Sequence, residues 1–536
     1  MLKYKVLLIV ASAFCLLLPS FSLAQVDTVW VRFYNGPSNG VDAGRAIAVD
    51  HQGNVYVAGI SYGSYMDYVT VKYNSAGVQE WAQRFNGPGG AWDWIKAITV
   101  DGQGNCYVTG GVSSAGYDDY GTIKYNSAGV QQWVQQYNGP AGQGDGASAI
   151  VLDDSGYVYV TGGSTGSGSG LDYATIKYNS AGVQQWAARY NGTGNGDDWA
   201  YSVAVDAQYN VYVTGESRGT GANDDYVTIK YNSAGVAQWT QRYNGTGNDD
   251  DWASKIKLDA SGNVYVTGYS CGVGSYADYT TIKYNSNGDT LWVRRYNGPG
   301  NGDDEPNSLA VDGQGNVYIT GESGGTGTGY DYATVKYNSA GVEEWVQRYN
   351  GPGNDDDWAY SLAVDASGNV YVTGYSTGLT TSTDYATIKY NSAGAQQWLV
   401  RYNGLGNDAD EADVLAIDDS GHVYVTGYSA VSSTNTDIAT IKYVQTGSGV
   451  TEIHFGQASS LMFKIFPNPA KTFFNISIPY TTERTEIKIF DVSGKQVKSE
   501  ELRAKNCRVS LDGIKNGIYF VKVNNQMVKE KLVVTR

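Results

Sequence analysis

Three stretches of this 536-residue chain set carboxylates beside an indole: NGDDW at 195–199, NDDDW at 248–252 and NDDDW at 354–358. Trp94, Trp199, Trp252 and Trp358 occupy one recurrent place, seven residues before a repeated Asp, and Glu305 and Glu411 take that place twice more. An indole can stack on a sugar face while carboxylates accept hydroxyl hydrogen bonds. The candidate ligand-binding set is therefore these four Trp and two Glu, with Asp198, Asp251, Asp304 and Asp357 beside them. The competing reading is that each Trp wedges between neighbouring units as packing. Oxygen-rich Asp runs also suit calcium, but the EF-hand pattern is absent and an exposed Asp run is more often simply solvated. No residues are assigned to a metal. Glycoside hydrolysis needs only two carboxylates at a set separation, so a glycan-processing enzyme stands as an alternative. Against catalysis, the chain has only His51, His422 and His454, which leaves no Ser-His-Asp or Cys-His arrangement and no His-rich zinc site.

The elements that carry these residues repeat. Trp30, Trp81, Trp133, Trp186, Trp239, Trp292, Trp345 and Trp398 recur at intervals of 51, 52 and then 53 residues, a period of propellers, solenoids or arrays. Each unit reads as four strands, of the type SLAVD, NVYVTGYS, DYATIKY and QQWVQRY, with alternating β-branched and aromatic side chains. DASGN-type turns join strands one and two, and NSAG turns join three and four, supplying the Asp, Asn, Ser and Gly of tight turns. Four antiparallel strands per unit favour a β-propeller over a β-helix, whose repeats are usually shorter. The 69 Gly and 45 Tyr follow from this repetition.

Eight first-strand Asp (Asp50 to Asp418) and eight strand-three Lys (Lys72 to Lys442) count eight blades. The chain starts with a lone fourth strand and the last unit lacks one, so residues 27–34 are expected to complete the blade begun at 413–443. A seven-bladed ring with extra strands is the alternative. The repeated Lys and the Asp before Gly-Asn are read as structural, the Lys finding a carboxylate or carbonyl and the Asp bonding its own turn. The eightfold Asp that starts each third strand is read as fixing a loop. Turns one-to-two and three-to-four are short and nearly invariant. Loops two-to-three and four-to-one vary, and their face is the candidate binding face.

The D-x-x-G-N-V-Y-V-T-G core and the D-Y-x-T-I-K-Y-N strand, over residues 27–443, resemble the SBBP-type β-propeller repeat. The resemblance implies an all-β, eight-bladed propeller of four-stranded antiparallel blades and no defined activity. It also implies that the first strand is innermost, with the Trp/Glu positions near the mouth of the central channel.

The ends have other tasks. Lys3 and Lys5, an apolar run from Val6 to Leu18 and Ser22-Leu23-Ala24 read as a signal peptide, 1–24. No other apolar segment is long enough to span a membrane, so none is expected in the mature chain. Cys106, Cys271 and Cys507 form no disulfide framework. Residues 462–536 hold fourteen Lys/Arg against seven Asp/Glu and the leader adds two Lys, so the remaining body, 25–461, carries a charge near −25 and should repel nucleic acid. After a polar linker at 444–461, the tail resembles the C-terminal sorting domain (type A) of type IX secretion substrates. The matching residues are Pro467, Asn468 and Pro469, the DVSGK turn, and Gly517, Tyr519, Val521, Lys522 and Val523 within GIYFVKV. That resemblance implies a small C-terminal β-sandwich, recognition by the secretion machinery, and release from or display on a Gram-negative outer surface. Taken together, the expectation is a secreted or surface propeller that binds a glycan or protein ligand. The alternatives are a glycan-processing enzyme and a purely structural surface protein.

Overall fold

The computed structural model describes residues 24–448, apart from 115, 222, 405, 433 and 434, and in the tail 465–466, 471–477, 485–490, 495–502, 506–523, 526–527 and 532–534. The leader and the Pro467-Asn468-Pro469 motif lie outside the described residues. Two compact units divide near residue 455.

Alternating β-branched and aromatic residues make every element of the first unit a strand, and these form eight four-stranded antiparallel sheets. In one blade, Asp198–Val205, Val211–Arg218, Asp224–Tyr231 and Ala237–Tyr243 pair in chain order. The first strand of each blade contacts the first strand of the next, and Asp42–Val49 also contacts Asp410–Ile417, so the ring is closed with first strands innermost. We number the blades one to eight from the sheet that begins at Asp42. Blade eight is a composite: Ala24–Tyr34 pairs antiparallel with Asn435–Ser448, from Ala24 opposite Ser448 to Tyr34 opposite Ile438.

Neighbouring blades are latched by the repeated outer Trp. The Trp292 indole lies on Gly341 of the next blade's NSAG turn, where a Cβ would meet the ring at 2.9 Å and φ is +77°. Only glycine suits both demands. Trp292 Nε1 and Lys283 Nζ both donate to the Ser339 carbonyl of that turn, at 3.3 and 3.0 Å. Lys283 also stands 4.8 Å over the Tyr265 ring. The repeated Lys is thus a buried cation spent on a carbonyl and an aromatic face. Trp30 repeats the latch from blade eight onto Gly77 and Ser75 of blade one. The joint between blades seven and eight is different. Blade eight has no such turn, Lys389 donates instead to Gln445 Oε1 at 2.6 Å, and the Trp398 indole N–H has no hydrogen-bond partner among the described residues.

The Asp before Gly-Asn closes its own turn: Asp259 accepts from the backbone N–H groups of Ser261 and Asn263 and from the Tyr265 hydroxyl. The third-strand Asp pairs with an outer-strand Arg in six blades, as in Arg401–Asp384 at 2.8 Å, with both side chains under 10% exposed.

The tail unit holds two small antiparallel sheets, one of three strands and one built around Gly517–Val523. Gly517–Val523 pairs with Thr485–Phe490 and with both Gln526–Met527 and Leu532–Val534. Val521 is buried, the Tyr519 hydroxyl donates to the Lys515 carbonyl at 2.9 Å, and Lys522 stands 5.8 Å over the Phe490 ring. The GIYFVKV residues of the sorting motif therefore form the most highly paired strand of this sheet.

Candidate functional site

Seven inner strands start at the variable face with an Asp, and in blade two Asp93 stands just before the strand Trp94–Val100. Asp198 is fully buried, and its carboxylate accepts from Gly192 N at 2.6 Å and Arg218 N at 3.0 Å. Asp304 and Asp357 repeat both bonds on their own blades, Asp251 is equally buried over Gly245 N, and Asp410 over Gly404 N. These carboxylates staple the four-to-one loop to the end of the second strand. They do not face a ligand, which corrects the expectation for Asp198, Asp251, Asp304 and Asp357. Burial pushes their carboxyls up against the pull of the hydrogen bonds, that of Asp357 to about 6.

The preceding Asp is engaged too. Asp197, Asp250, Asp303 and Asp356 each accept a backbone N–H from the start of the previous blade's third strand, as in Leu171 N to Asp197 Oδ1 at 2.9 Å. The Asp runs are thus tied into loop geometry. Among the described residues no group of three or more His, Cys, Asp or Glu is placed to hold a metal ion.

One residue further on, the side chains differ between blades. Trp252 is 38% exposed and Trp94 39%. Trp199 is half-buried: its ring lies over Gly146 and Gly163 of the neighbouring blade and its Nε1 donates to Ser148 Oγ at 2.7 Å. Trp199 therefore does wedge between blades, while still presenting one edge. Trp358 stacks on Tyr375 at 5.8 Å and meets Tyr330 edge-on. Glu305 is exposed and sits opposite Glu322; Glu411 is half-buried opposite Tyr428.

Two further positions complete the mouth. Every inner strand carries a β-bulge three residues after its Asp, and the bulged residue varies round the ring: Arg45, Lys96, Ser148, Tyr201, Ser254, Asn307, Tyr360 and Asp413. The glycine of each VTG run answers this bulge. A Cβ on Gly215 would overlap the Trp199 carbonyl oxygen. The second varying position lies on the second strand, directly across from the Trp/Glu place: Glu216, Tyr269, Glu322, Tyr375 and Tyr428. Sequence reading missed both. Their signal was variability inside an otherwise constant frame, three residues after the Asp and immediately after the VTG glycine.

Together these positions build an aromatic strip across blades four and five. Trp199 and Tyr201 stack at 6.4 Å and 23°, Tyr201 and Trp252 at 6.3 Å and 24°, and Trp252 and Tyr269 lie 5.6 Å apart. Tyr201 donates to Glu216 Oε1 at 2.9 Å. A second cluster, Tyr330, Trp358, Tyr360 and Tyr375, spans blades six and seven, and Trp92 with Trp94 forms an exposed pair on blade two. Burial pushes Glu216 up to about 7 and Glu322 to about 8, the second aided by facing Glu305. Arg45 pairs with Asp413 at 2.6 Å, bridging blades one and eight. The sequence candidates Trp199, Trp252, Glu305, Trp358 and Glu411 thus stand on five consecutive blades, four to eight, whereas Trp94 lies apart on blade two.

A closed ring of four-stranded blades with a variable, aromatic mouth defines a β-propeller. Residues 238–272, 291–327 and 344–379 match the Beta-propeller repeat family, and residues 464–535 match the Secretion system C-terminal sorting domain. The chain therefore carries SBBP repeats and a type IX sorting tail, which directs it to the cell surface or the extracellular space. No helix among the described residues is long and apolar enough to cross a membrane. The chain is 34% identical to Beta-agarase A of Zobellia galactanivorans over 65 residues, 12% of each protein. It is 33% identical to Regulatory protein FlaEY of Caulobacter vibrioides over 139 residues, 23% of this chain and 13% of that one. It thus spans only 12% and 13% of the length of these curated relatives. The crystal structure of Sqt1 from Chaetomium thermophilum superposes with a TM-score of 0.50 at 9% identity, over 79% of this chain and 100% of that one, a likeness of fold alone.

Proposed function

We propose that this secreted surface protein is a recognition propeller that binds a glycan at its variable mouth. The observation that carries this reading is the Trp199–Tyr201–Trp252–Tyr269 strip, half-open to solvent and continuous across two blades. Flat, rigid rings lose little conformational freedom on binding, and sugar faces offer them C–H groups. Glu216 and the Tyr hydroxyls beside the strip supply acceptors and donors for sugar hydroxyls. The test is a glycan array with the full chain and with Trp252→Ala. The expected result is at least a tenfold loss on the glycans the parent binds, about 1.4 kcal/mol or more. An array on which the parent and variant behave alike sinks the reading.

Glycan processing is the second reading. Glu216 and Glu322, with carboxyls near neutrality, have the character of general acids. Polysaccharide turnover that is lost in Glu216→Gln or Glu322→Gln would favour it over binding alone.

A further inference from the structure

Six outer-strand Arg enter the same cradle, one in each of six blades. Arg401 donates to the hydroxyl and carbonyl of Ser376, to the Asp384 carboxylate at 2.8 Å and to the Tyr349 hydroxyl of the preceding blade at 3.1 Å. Ser376 stands directly opposite Asp384, and Arg401 opposite Ala386. The same Ser hydroxyl, Ser carbonyl and Asp carboxylate surround Arg84, Arg189, Arg242, Arg295 and Arg348.

Two blades lack the Arg, and they differ. In blade two its place is taken by Gln136, and the cradle goes with it: Val112 faces Asp119 in place of Ser, and the preceding blade offers Phe85 in place of Tyr. In blade eight its place, opposite Ala439, is taken by Phe33, yet the acceptors are kept. Ser429 faces Asp437, and Tyr402 ends the outer strand of blade seven as Tyr349 ends that of blade six. Ser429 is 1% exposed and Asp437 8%, whereas Phe33 is 41% exposed. Among the described residues no ion pair forms at Asp437, and its buried Oδ1 has no hydrogen-bond partner. The adjacent Arg32 is spent on the blade latch, with Nε donating to the Gly77 carbonyl and Nη1 to that of Val31 at 2.8 Å. Burial and then the Asp42 carboxylate push the Asp437 carboxyl up, with no cation pulling against them as Arg401 does on Asp384.

A carboxylate this deeply buried is costly without a counter-charge. Ser429, Asp437 and Tyr402 hold the register positions that elsewhere receive a planar, multiply donating cation. We propose that this part of blade eight is a guanidinium site, which takes from another molecule the group that six blades supply from their own outer strand. The site does not require that the mouth bind a glycan.

Methylguanidinium chloride is the probe, titrated into the full chain by calorimetry, with methylammonium chloride as the matched control. The parent should bind methylguanidinium saturably and methylammonium at least about tenfold more weakly, because only the planar ion meets several acceptors at once. Asp437→Asn should lose at least about tenfold in affinity for methylguanidinium. It should also melt no lower than the parent, since it removes an uncompensated charge, whereas Asp384→Asn, which orphans Arg401, should melt lower. Phe33→Arg supplies the group from the chain itself and should abolish the response, while Phe33→Ala should keep it. No saturable response in the parent, an equal response in Asp437→Asn or Phe33→Arg, or equal binding of methylammonium overturns the proposal. So does an Asp437→Asn variant that melts as far below the parent as Asp384→Asn, which would mean that the carboxylate is already compensated. A second arm adds the peptides Gly-Arg-Gly and Gly-Lys-Gly. Competition by the Arg peptide alone shows that the group can arrive as a side chain of a partner polypeptide, and undisturbed methylguanidinium binding shows that the site takes the free ion.

Discussion

Trp30 is the residue on which closure of the ring can be tested most sharply. It is 6% exposed and packs in a cluster drawn from blades eight and one, with Ile47, Val57, Val71, Tyr73, Tyr424 and Ile438. Its ring lies 6.1 Å from both Tyr73 and Tyr424, and its indole N–H reaches the Ser75 carbonyl at 3.5 Å. Trp30→Ala removes this burial, which costs about 3–5 kcal/mol for a core Trp. The long indole hydrogen bond adds little, and the Ser75 carbonyl keeps Lys442 at 3.4 Å, so no acceptor is orphaned. Val29→Ala is the control on the same strand, since Val29 is 52% exposed and should stay within about 0.5 kcal/mol of the parent. Equilibrium unfolding in guanidinium, read by Trp fluorescence and by circular dichroism, measures both. Because Trp30 joins the first blade to the last, its loss should also expose the Asn435–Ser448 strand to proteolysis under native conditions. A Trp30→Ala variant within about 1 kcal/mol of the parent and equally protease-resistant would refute the argument that residues 27–34 hold the ring shut.

Three further outcomes are expected. Arg401→Ala leaves the buried Asp384 carboxylate uncompensated and should cost about 3–5 kcal/mol in the same unfolding assay. Glu322 has a carboxyl raised to about 8, so between its unfolded value of 4.5 and about 8 the folded state holds the proton more tightly. Its contribution to stability is present below pH 4.5 and is lost as pH rises through about 8; Glu322→Gln should match the parent near pH 4 and melt higher at pH 9. Removal of residues 465–536 should leave the propeller trapped in the periplasm on cell fractionation, and normal surface display without them would contradict the role of the sorting tail.

The fold was legible because the same turn chemistry is written eight times. D-x-x-G-N can hardly be anything but a turn closed by its own Asp, and the VYVTG and DYATIKY runs leave no helical period. The site was legible only in part. Trp252 and Glu305 stand open at the mouth, but Asp198, Asp251, Asp304 and Asp357 enter the candidate set only because a carboxylate beside an indole suits sugar hydroxyls, and their side chains are buried. What decides their role is a pair of backbone N–H groups, one six residues upstream and one twenty downstream, which no local pattern displays. Tyr201 and Lys96 were hidden for a related reason. A β-bulge changes which way a side chain points, and its traces in sequence are the glycine of the strand opposite and the variability of the bulged position itself.

The pairing of Val26 with Gln445 has a mechanical consequence. The chain leaves the ring toward its tail from the third strand of blade eight, which is hydrogen-bonded on one side to Val423–Ser432 and on the other to Ala24–Tyr34. Tension applied beyond Ser448 first meets residues 444–448, which only the Ala24–Tyr34 strand holds, and then, from Tyr443 inward, a strand gripped along both edges. To yield past Tyr443 the propeller must break two ladders at once, so the reinforced part of the ring lies from Tyr443 inward and not at the exit itself.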